Sequence, residues 1–284
     1  MIVDFKSIAL LGKPLFTWTV VQTPMSLTAA MPKDEACFAY VLEGECFTYS
    51  ETENLKIKTK EAFLAKCGNY TTKLKAVDSV TRYSTIVVHF HLEVLQKIYA
   101  QGLPAFLTKK EAFRGANTAK VASNELIEHY INNIQLYFKY PRLATEDVLI
   151  LKLKEIILLL TQTQNSPQVL TLMQNLFSER TIEFKEIIEG HICSDLTIKE
   201  LAQLTNRSLS SFKKAFKNIY RDTPASYRIT KRIEKVANLL LLSDEAITTI
   251  AYDCGFKTVA HLSRVFKRHY GTSPSQYRLD HSDK

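Results

Sequence analysis

Hydrophobic and polar positions change their period along this chain. Up to about residue 94 the apolar residues come in short runs rich in aromatic and β-branched side chains, at 16–21, 37–42, 46–49, 55–59, 70–74 and 83–90. Turn signals separate the runs, the tightest being Glu43-Gly44-Glu45 and Cys67-Gly68-Asn69. Short strands at this spacing predict a small β-barrel or sandwich. Residues 94–121 have no clear period; Lys109, Lys110, Glu111 and Arg114 read as a solvated turn or short helix above Phe106 and Phe113. From Ser123 the period becomes helical, with Leu126, Ile127, Tyr130, Ile131, Ile134 and Tyr137 in one stripe that runs to Phe138 and is ended by Pro141. Thr145 opens a second helix. Val148, Leu149, Leu151, Leu153 and the run 156–160 make it apolar over almost its whole surface, so it needs burial on more than one side. Packing on the barrel and packing on the same helix of a second chain both satisfy that need. A polar break at 161–168 leads through Ser166-Pro167 into further helical segments at 169–177 and 182–192.

The last third of the chain is helical and repeated. In 246–278, Ile247, Ile250 and Ala251 share a helical face, and Gly255 stands where a left-handed residue ends that helix. A second helix follows Phe256, with Leu262, Val265 and Phe266 inward and His261, Ser263, Arg264, Lys267 and Arg268 outward. The arrangement recurs 50 residues earlier: Phe216, Lys217, Tyr220, Pro224, Tyr227 and Arg228 coincide with Phe266, Lys267, Tyr270, Pro274, Tyr277 and Arg278. Thr197 with Glu200 forms a capping box, and Ser208 is an N-cap for the helix that turns Lys213, Lys214 and Lys217 outward. Between the copies, Pro224 begins a connecting helix that lasts to about residue 242.

These residues resemble a known family. The paired helix-turn-helix, with IAYDCGF, then LSRVFKRHYG, then SPSQYR, is similar to the DNA-binding domain of AraC/XylS-type bacterial transcriptional regulators. In the first copy Asn206-Arg207 replaces the usual small-then-apolar turn pair, and Arg221 stands opposite Gly271. The resemblance implies a cupin-like barrel at the N-terminus, with FAYVLEGECFTY as its early hairpin. EDVLILKLKEIILLL resembles the N-terminal half of the ExsA-type branch, whose regulation runs through partner proteins. The expected architecture is α+β and multidomain: a β-barrel with regulatory and dimerisation helices over 1–177, and an all-α domain over 178–284. In the latter, helix-turn-helix motifs at about 197–219 and 246–270 flank a linker helix at about 224–242.

Charge supports the same assignment. Fourteen Lys or Arg against five Asp or Glu fall between Arg207 and Arg278, whereas the whole chain carries +8, so the basic surplus is confined to the helical repeat. Such a patch suits a phosphate-lined groove. Base contacts are expected from Ser210, Lys213 and Lys214 in the first copy and from Val259, Ala260, His261, Ser263 and Arg264 in the second. Phosphate contacts are expected from Lys217, Lys267 and Arg268. Double-stranded DNA is the expected partner. The resemblance adds RNA polymerase, a small-molecule or protein effector at the barrel, and a homodimer.

Other chemistry is thin. Five scattered cysteines have no metal-binding spacing and suit a reducing cytoplasm. Cys254 falls on the inward side of a helix, as a small core residue or a redox-sensing thiol. His89 and His91, two apart on one strand, are the barrel's histidines and lack a third ligand, so they read as satisfied histidines and no cofactor is expected. No phosphate loop, nucleophile elbow or paired-carboxylate motif appears. The expectation is a cytoplasmic, non-enzymatic activator, weighed against a metal cupin enzyme fused to a DNA-binding tail and against a non-specific architectural DNA binder.

Overall fold

A computed structural model describes the chain except for residues 33, 67, 76–80, 100–103, 105–115, 123, 163–166, 178–182 and 283–284. The chain divides into two compact units, Met1–Glu183 and Phe184–Lys284. The expected boundary at 177/178 and the reading of Lys109 to Arg114 fall on residues outside those described.

Among the described residues the first unit holds ten antiparallel strands: β1 (Ile2–Leu10), β2 (Lys13–Gln22), β3 (Met25–Met31), β4 (Glu35–Glu43), β5 (Glu45–Tyr49), β6 (Asn54–Ile57), β7 (Ala62–Ala65), β8 (Gly68–Lys75), β9 (Arg82–His91) and β10 (Thr118–Val121). They form two sheets, ordered β1-β2-β9-β4-β7-β10 and β3-β8-β5-β6. Among the described residues they are accompanied by the α-helices α1 (Leu92–Ile98), α2 (Glu125–Lys139), α3 (Glu146–Gln162) and α4 (Pro167–Gln174). The central strands of the larger sheet are buried on both faces. Phe38, Tyr40, Ile86, Val88 and Phe90 point into a core shared with Ile127, Ile131, Leu153 and Ile156 of the helices. Cys37, Ala39, Val41 and Phe63 point the other way, onto Cys46, Ile57, Tyr70 and Leu74 of the smaller sheet. A strand covered on both sides reads as a continuous apolar run, which is why 37–42 has little alternation.

Several expectations change here. FAYVLEGECFTY is not a hairpin: β4 pairs with β7 and β9, whereas β5 pairs with β6 and β8, so the chain crosses between sheets at Gly44. Gly44 has φ +87°, and a Cβ there would lie 2.8 Å from the Arg82 carbonyl oxygen, so only glycine fits this crossing. Strands β1 and β3 were not anticipated because most of their residues are exposed, and β7 because four residues are too few to show a period. Helix α1 occupies part of the stretch without a clear period. Leu126, placed in the inward stripe of α2, is 57% exposed; the stripe is carried by Ile127, Tyr130, Ile131, Ile134 and Phe138. Helix α3 buries Leu149, Leu153, Ile156, Ile157 and Leu160 and leaves Leu151 and Leu158 exposed.

The second unit is all helix: α5 (Phe184–Gly190), α6 (Ile198–Leu204), α7 (Leu209–Tyr220), α8 (Pro224–Leu242), α9 (Ile247–Asp253), α10 (Val259–Tyr270) and α11 (Pro274–Ser282). Local chemistry sets most of the helix starts. Thr197 and Glu200 close both halves of a capping box, and Ser208, Thr223 and Thr258 each accept an N–H of the first turn of α7, α8 and α10. Such caps stabilise a helix start by about 1 kcal/mol each. Ile233, Val236, Ala237 and Leu240 of α8 pack against Ile250, Ala251, Phe256, Leu262 and Phe266 of the second repeat.

Candidate nucleic-acid interface

Helices α6–α7 and α9–α10 are two helix-turn-helix units of the same construction. In both turns the backbone reverses through a residue in the left-handed region, Asn206 with φ 52° and Gly255 with φ 79°. The same pair of hydrogen bonds closes each: Asn206 N–H to Gln203 and Arg207 N–H to Ala202 in the first, Gly255 N–H to Tyr252 and Phe256 N–H to Ala251 in the second. Asn206 thus corresponds to Gly255 at an offset of 49, while the helix N-caps Ser208 and Thr258 differ by 50, so the second turn is one residue longer. The aromatic role is redistributed as well. Phe256 is buried, whereas its counterpart Arg207 is exposed and lies 5.6 Å over the ring of Phe184. Phe184 of α5 fills the gap, packing 5.4 Å from Phe212 and 6.2 Å from Phe216. Arg221 ends α7 with φ 57°, where Gly271 ends α10 with φ 79°.

Three arginines hold the construction together, and none was singled out for this role from sequence. Arg228 of α8 donates to the carbonyls of Leu196 at 2.7 Å and Ser194 at 2.6 Å, in front of α6. Arg278 of α11 does the same in front of α9, donating to Glu245 at 2.8 Å and Leu240 at 3.3 Å. Leu196 and Glu245 each immediately precede an N-cap, so the repeated Tyr-Arg pair is a clamp that sets where each helix-turn-helix begins. Burial, with Arg232 nearby, draws the Arg228 guanidinium down to about 10, which leaves it charged at neutral pH. Arg232 joins the two halves: it donates to Ile192 at 2.7 Å, Ser194 at 2.5 Å and Gly255 at 2.6 Å. The signal available in the sequence was the recurrence of Tyr-Arg at the offset of 50.

The outer faces of α7 and α10 are cationic. Ser210, Lys213, Lys214 and Lys217 are exposed on α7, with Phe212 and Phe216 inward. The Ser210 hydroxyl lies 3.1 Å from that of the N-cap Ser208, within the helix start. On α10, Ala260, Arg264, Lys267 and Arg268 are exposed. Val259, His261 and Ser263 are half-buried; Val259 packs against the core, and His261 meets the Phe256 ring edge-on at 5.7 Å. Lys213 and Lys217 also edge a mainly apolar groove of about 440 Å³ with Ile198, Leu209 and Pro224.

His89 and His91 of β9 are each engaged with protein. His89 Nε2 is 2.9 Å from the Thr17 hydroxyl, and His91 Nε2 is 2.9 Å from the Pro14 carbonyl oxygen, with Glu35 3.5 Å from its other nitrogen. Burial, and then the neighbouring His91, lower the His89 pKa to about 4. Among the described residues no group of three or more His, Cys, Asp or Glu could hold a metal ion.

Known proteins share both halves of this design. The family model for a helix-turn-helix domain matches residues 201–280, and the model for the ExsA N-terminal regulatory domain matches residues 36–172. The chain belongs to the AraC family of transcriptional regulators. It is similar to the HTH-type transcriptional regulator ExsA of Pseudomonas aeruginosa, at 22% identity over 87% of this chain and 86% of that protein. It is similar to the HTH-type transcriptional activator RhaS of an Enterobacter species, at 32% identity over 32% of this chain and 33% of that protein. Among solved structures, fatty-acid-bound ToxT of Vibrio cholerae matches 93% of this chain and 95% of its own at 16% identity, with a TM-score of 0.38. This AraC-family member is a sequence-specific DNA-binding transcription regulator. No helix among the described residues is long and apolar enough to cross a membrane.

Proposed function

We propose that this regulator is a cytoplasmic transcription activator that reads two successive major grooves on one face of a DNA duplex, one with α7 and one with α10. The observation that carries the reading is the duplication: two helix-turn-helix units with matching clamps, each presenting a cationic helix face. The 19 residues of α8 that separate them span about 28 Å at 1.5 Å per residue. With the bodies at either end this accommodates two recognition helices roughly 34 Å apart, one duplex turn.

Within this reading, Ser210, Lys213 and Lys214 face bases in one groove, and Val259, Ala260, His261, Ser263 and Arg264 in the other. Arg264 is exposed in the second turn of α10 and suits a bidentate guanine contact, worth about 1–3 kcal/mol of discrimination. Lys217, Lys267 and Arg268, a turn further on, neutralise phosphates and set affinity with little effect on sequence choice. The first unit receives a small-molecule or protein effector, a reading supported by its match to a regulatory-domain model. The exposed Leu151 and Leu158 of α3 support a homodimer contact there, and RNA polymerase is the partner that activation requires.

Selection of genomic fragments bound by the purified protein, repeated with Arg264→Ala and Lys267→Ala across a salt titration, tests the two-groove reading. A defined bipartite motif is expected. Arg264→Ala relaxes one position of it, whereas Lys267→Ala weakens all sequences alike and lowers the salt slope by about 0.9. No motif, with equal loss in both variants, refutes specific two-groove readout.

A further inference from the structure

Two cysteines come together in the core of the DNA-binding unit, and the two-groove reading gives neither a role. Cys193 lies between α5 and α6, ahead of the first helix-turn-helix; Cys254 caps the end of α9, at the turn of the second. They are 61 residues apart in sequence, yet both pack on the core built around α8. Arg232 fixes them there. Its three hydrogen bonds go to Ile192 and Ser194, the neighbours of Cys193, and to Gly255, the neighbour of Cys254. The two backbones are in contact, since a Cβ built on Gly255 would lie only 2.4 Å from the Cys193 carbonyl oxygen. The two thiols are near enough for each to act on the other's protonation.

The partners are unequal in a way that matters chemically. Cys193 is half-buried and reaches solvent, whereas Cys254 is fully buried. The neighbouring Cys254 thiol, and then the positive charges of Lys235 and Arg232, pull the Cys193 thiol below the ordinary cysteine range. The neighbouring Cys193 and burial push Cys254 up. Cys193 is therefore the more accessible and the more acidic of the two, and Cys254 is its buried partner. That is the arrangement of an attacking and a resolving cysteine.

We propose that Cys193 and Cys254 form a peroxide-oxidisable dithiol site that closes to an intramolecular disulfide. The Cys193 thiolate attacks one oxygen of hydrogen peroxide; the O–O bond breaks, an S–O bond forms, and hydroxide leaves to become water. The Cys254 sulfur then attacks the sulfur of the resulting sulfenic acid and gives up its proton as the hydroxyl departs as a second water. Two thiols are oxidised by two electrons, and the peroxide is reduced to two waters. The new bond ties the segment ahead of the first helix-turn-helix to the turn of the second. The other thiols described, Cys37 and Cys46, are buried in the β unit, and burial pushes both above the ordinary range.

The test uses the full-length reduced protein, treated with a small excess of hydrogen peroxide, blocked with N-ethylmaleimide, digested with trypsin and analysed by mass spectrometry without reduction. The expected product joins the tryptic peptides 186–199 and 236–257, about two mass units lighter than their sum. With the resolving thiol removed, Cys254→Ser leaves a sulfenic acid on Cys193 that dimedone traps, and Cys193→Ser leaves Cys254 unoxidised. On the wild-type protein, which needs no variant to fold, iodoacetamide at neutral pH modifies Cys193 at least about tenfold faster than Cys254. Equal alkylation rates, an unoxidised Cys193, or a Cys193 disulfide to another molecule overturns the proposal. These readouts do not involve DNA, so their outcome is independent of the two-groove reading.

Discussion

Gly255 and Gly271 have the same backbone conformation, φ +79°, and sit in very different surroundings. Nothing lies within 4 Å of a Cβ on Gly271, so Gly271→Ala costs only left-handed strain, about 1–2 kcal/mol. A Cβ on Gly255 meets the Cys193 carbonyl oxygen at 2.4 Å and the Arg232 guanidinium at 2.8 Å. The carbonyl belongs to the backbone that Arg232 grips through Ile192 and Ser194, so it retreats only if those bonds loosen. Losing one charge-assisted bond adds roughly 1.5–3 kcal/mol. Gly255→Ala is therefore expected to cost about 3–5 kcal/mol, and Gly271→Ala about 1–2 kcal/mol. Hydrogen exchange of α8 and α10 amides in the full-length protein measures both. Trp18, the single tryptophan, reports on the β unit by its fluorescence and is expected to be unchanged. Equal losses in the two variants would show that the Cys193 carbonyl and Arg232 do not confine the second turn.

Three further outcomes follow from the same geometry. Arg221 is a non-glycine residue at φ 57°; relief of about 1–2 kcal/mol of strain, set against about 0.5–1 kcal/mol of added chain entropy, makes Arg221→Gly stabilising by roughly 0.5–1 kcal/mol in the same exchange measurement. Arg228→Met strands the buried Leu196 carbonyl and leaves that of Ser194 with Arg232 alone, and should destabilise the helical unit by about 2–3 kcal/mol, whereas Arg278→Met, at a partly exposed clamp, should cost less; a denaturant titration ranks them. His89 has a pKa of about 4 when folded against the ordinary 6.5. The unfolded chain therefore binds its proton first, and stability falls as pH drops from about 6.5 towards 4. The loss is at most about 3 kcal/mol, is removed by His89→Gln, and is read as the pH dependence of Trp18-detected unfolding.

Much of the helical unit is determined within short stretches of sequence. Thr197 with Glu200, Ser208, Pro224 and Gly255 act on backbone groups a few residues away, so their caps and turns are legible without knowing what packs on them. The recurrence of Phe-Lys, Tyr, Pro and Tyr-Arg at an offset of 50 shows that the unit is built twice. The sequence alone also confines the positive charge to it. Strand pairing is another matter. Gly44 looks like a hairpin turn because it separates two strand-like runs, and only the competition among strands distant in sequence sends β4 and β5 to different sheets. Exposed strands such as β1 are held by ladder bonds to β2, which leave little trace in hydrophobicity. Nor could spacing tell which polar side chains face inward. Arg228 and Arg232 read as part of a basic surface, but folding brings them against carbonyls more than 20 residues away, and the desolvated guanidinium takes those partners because no water is left to serve it. Cys193 and Cys254 became neighbours for the same reason: their contact depends on how α8 packs, a property of the assembled core that no local pattern encodes.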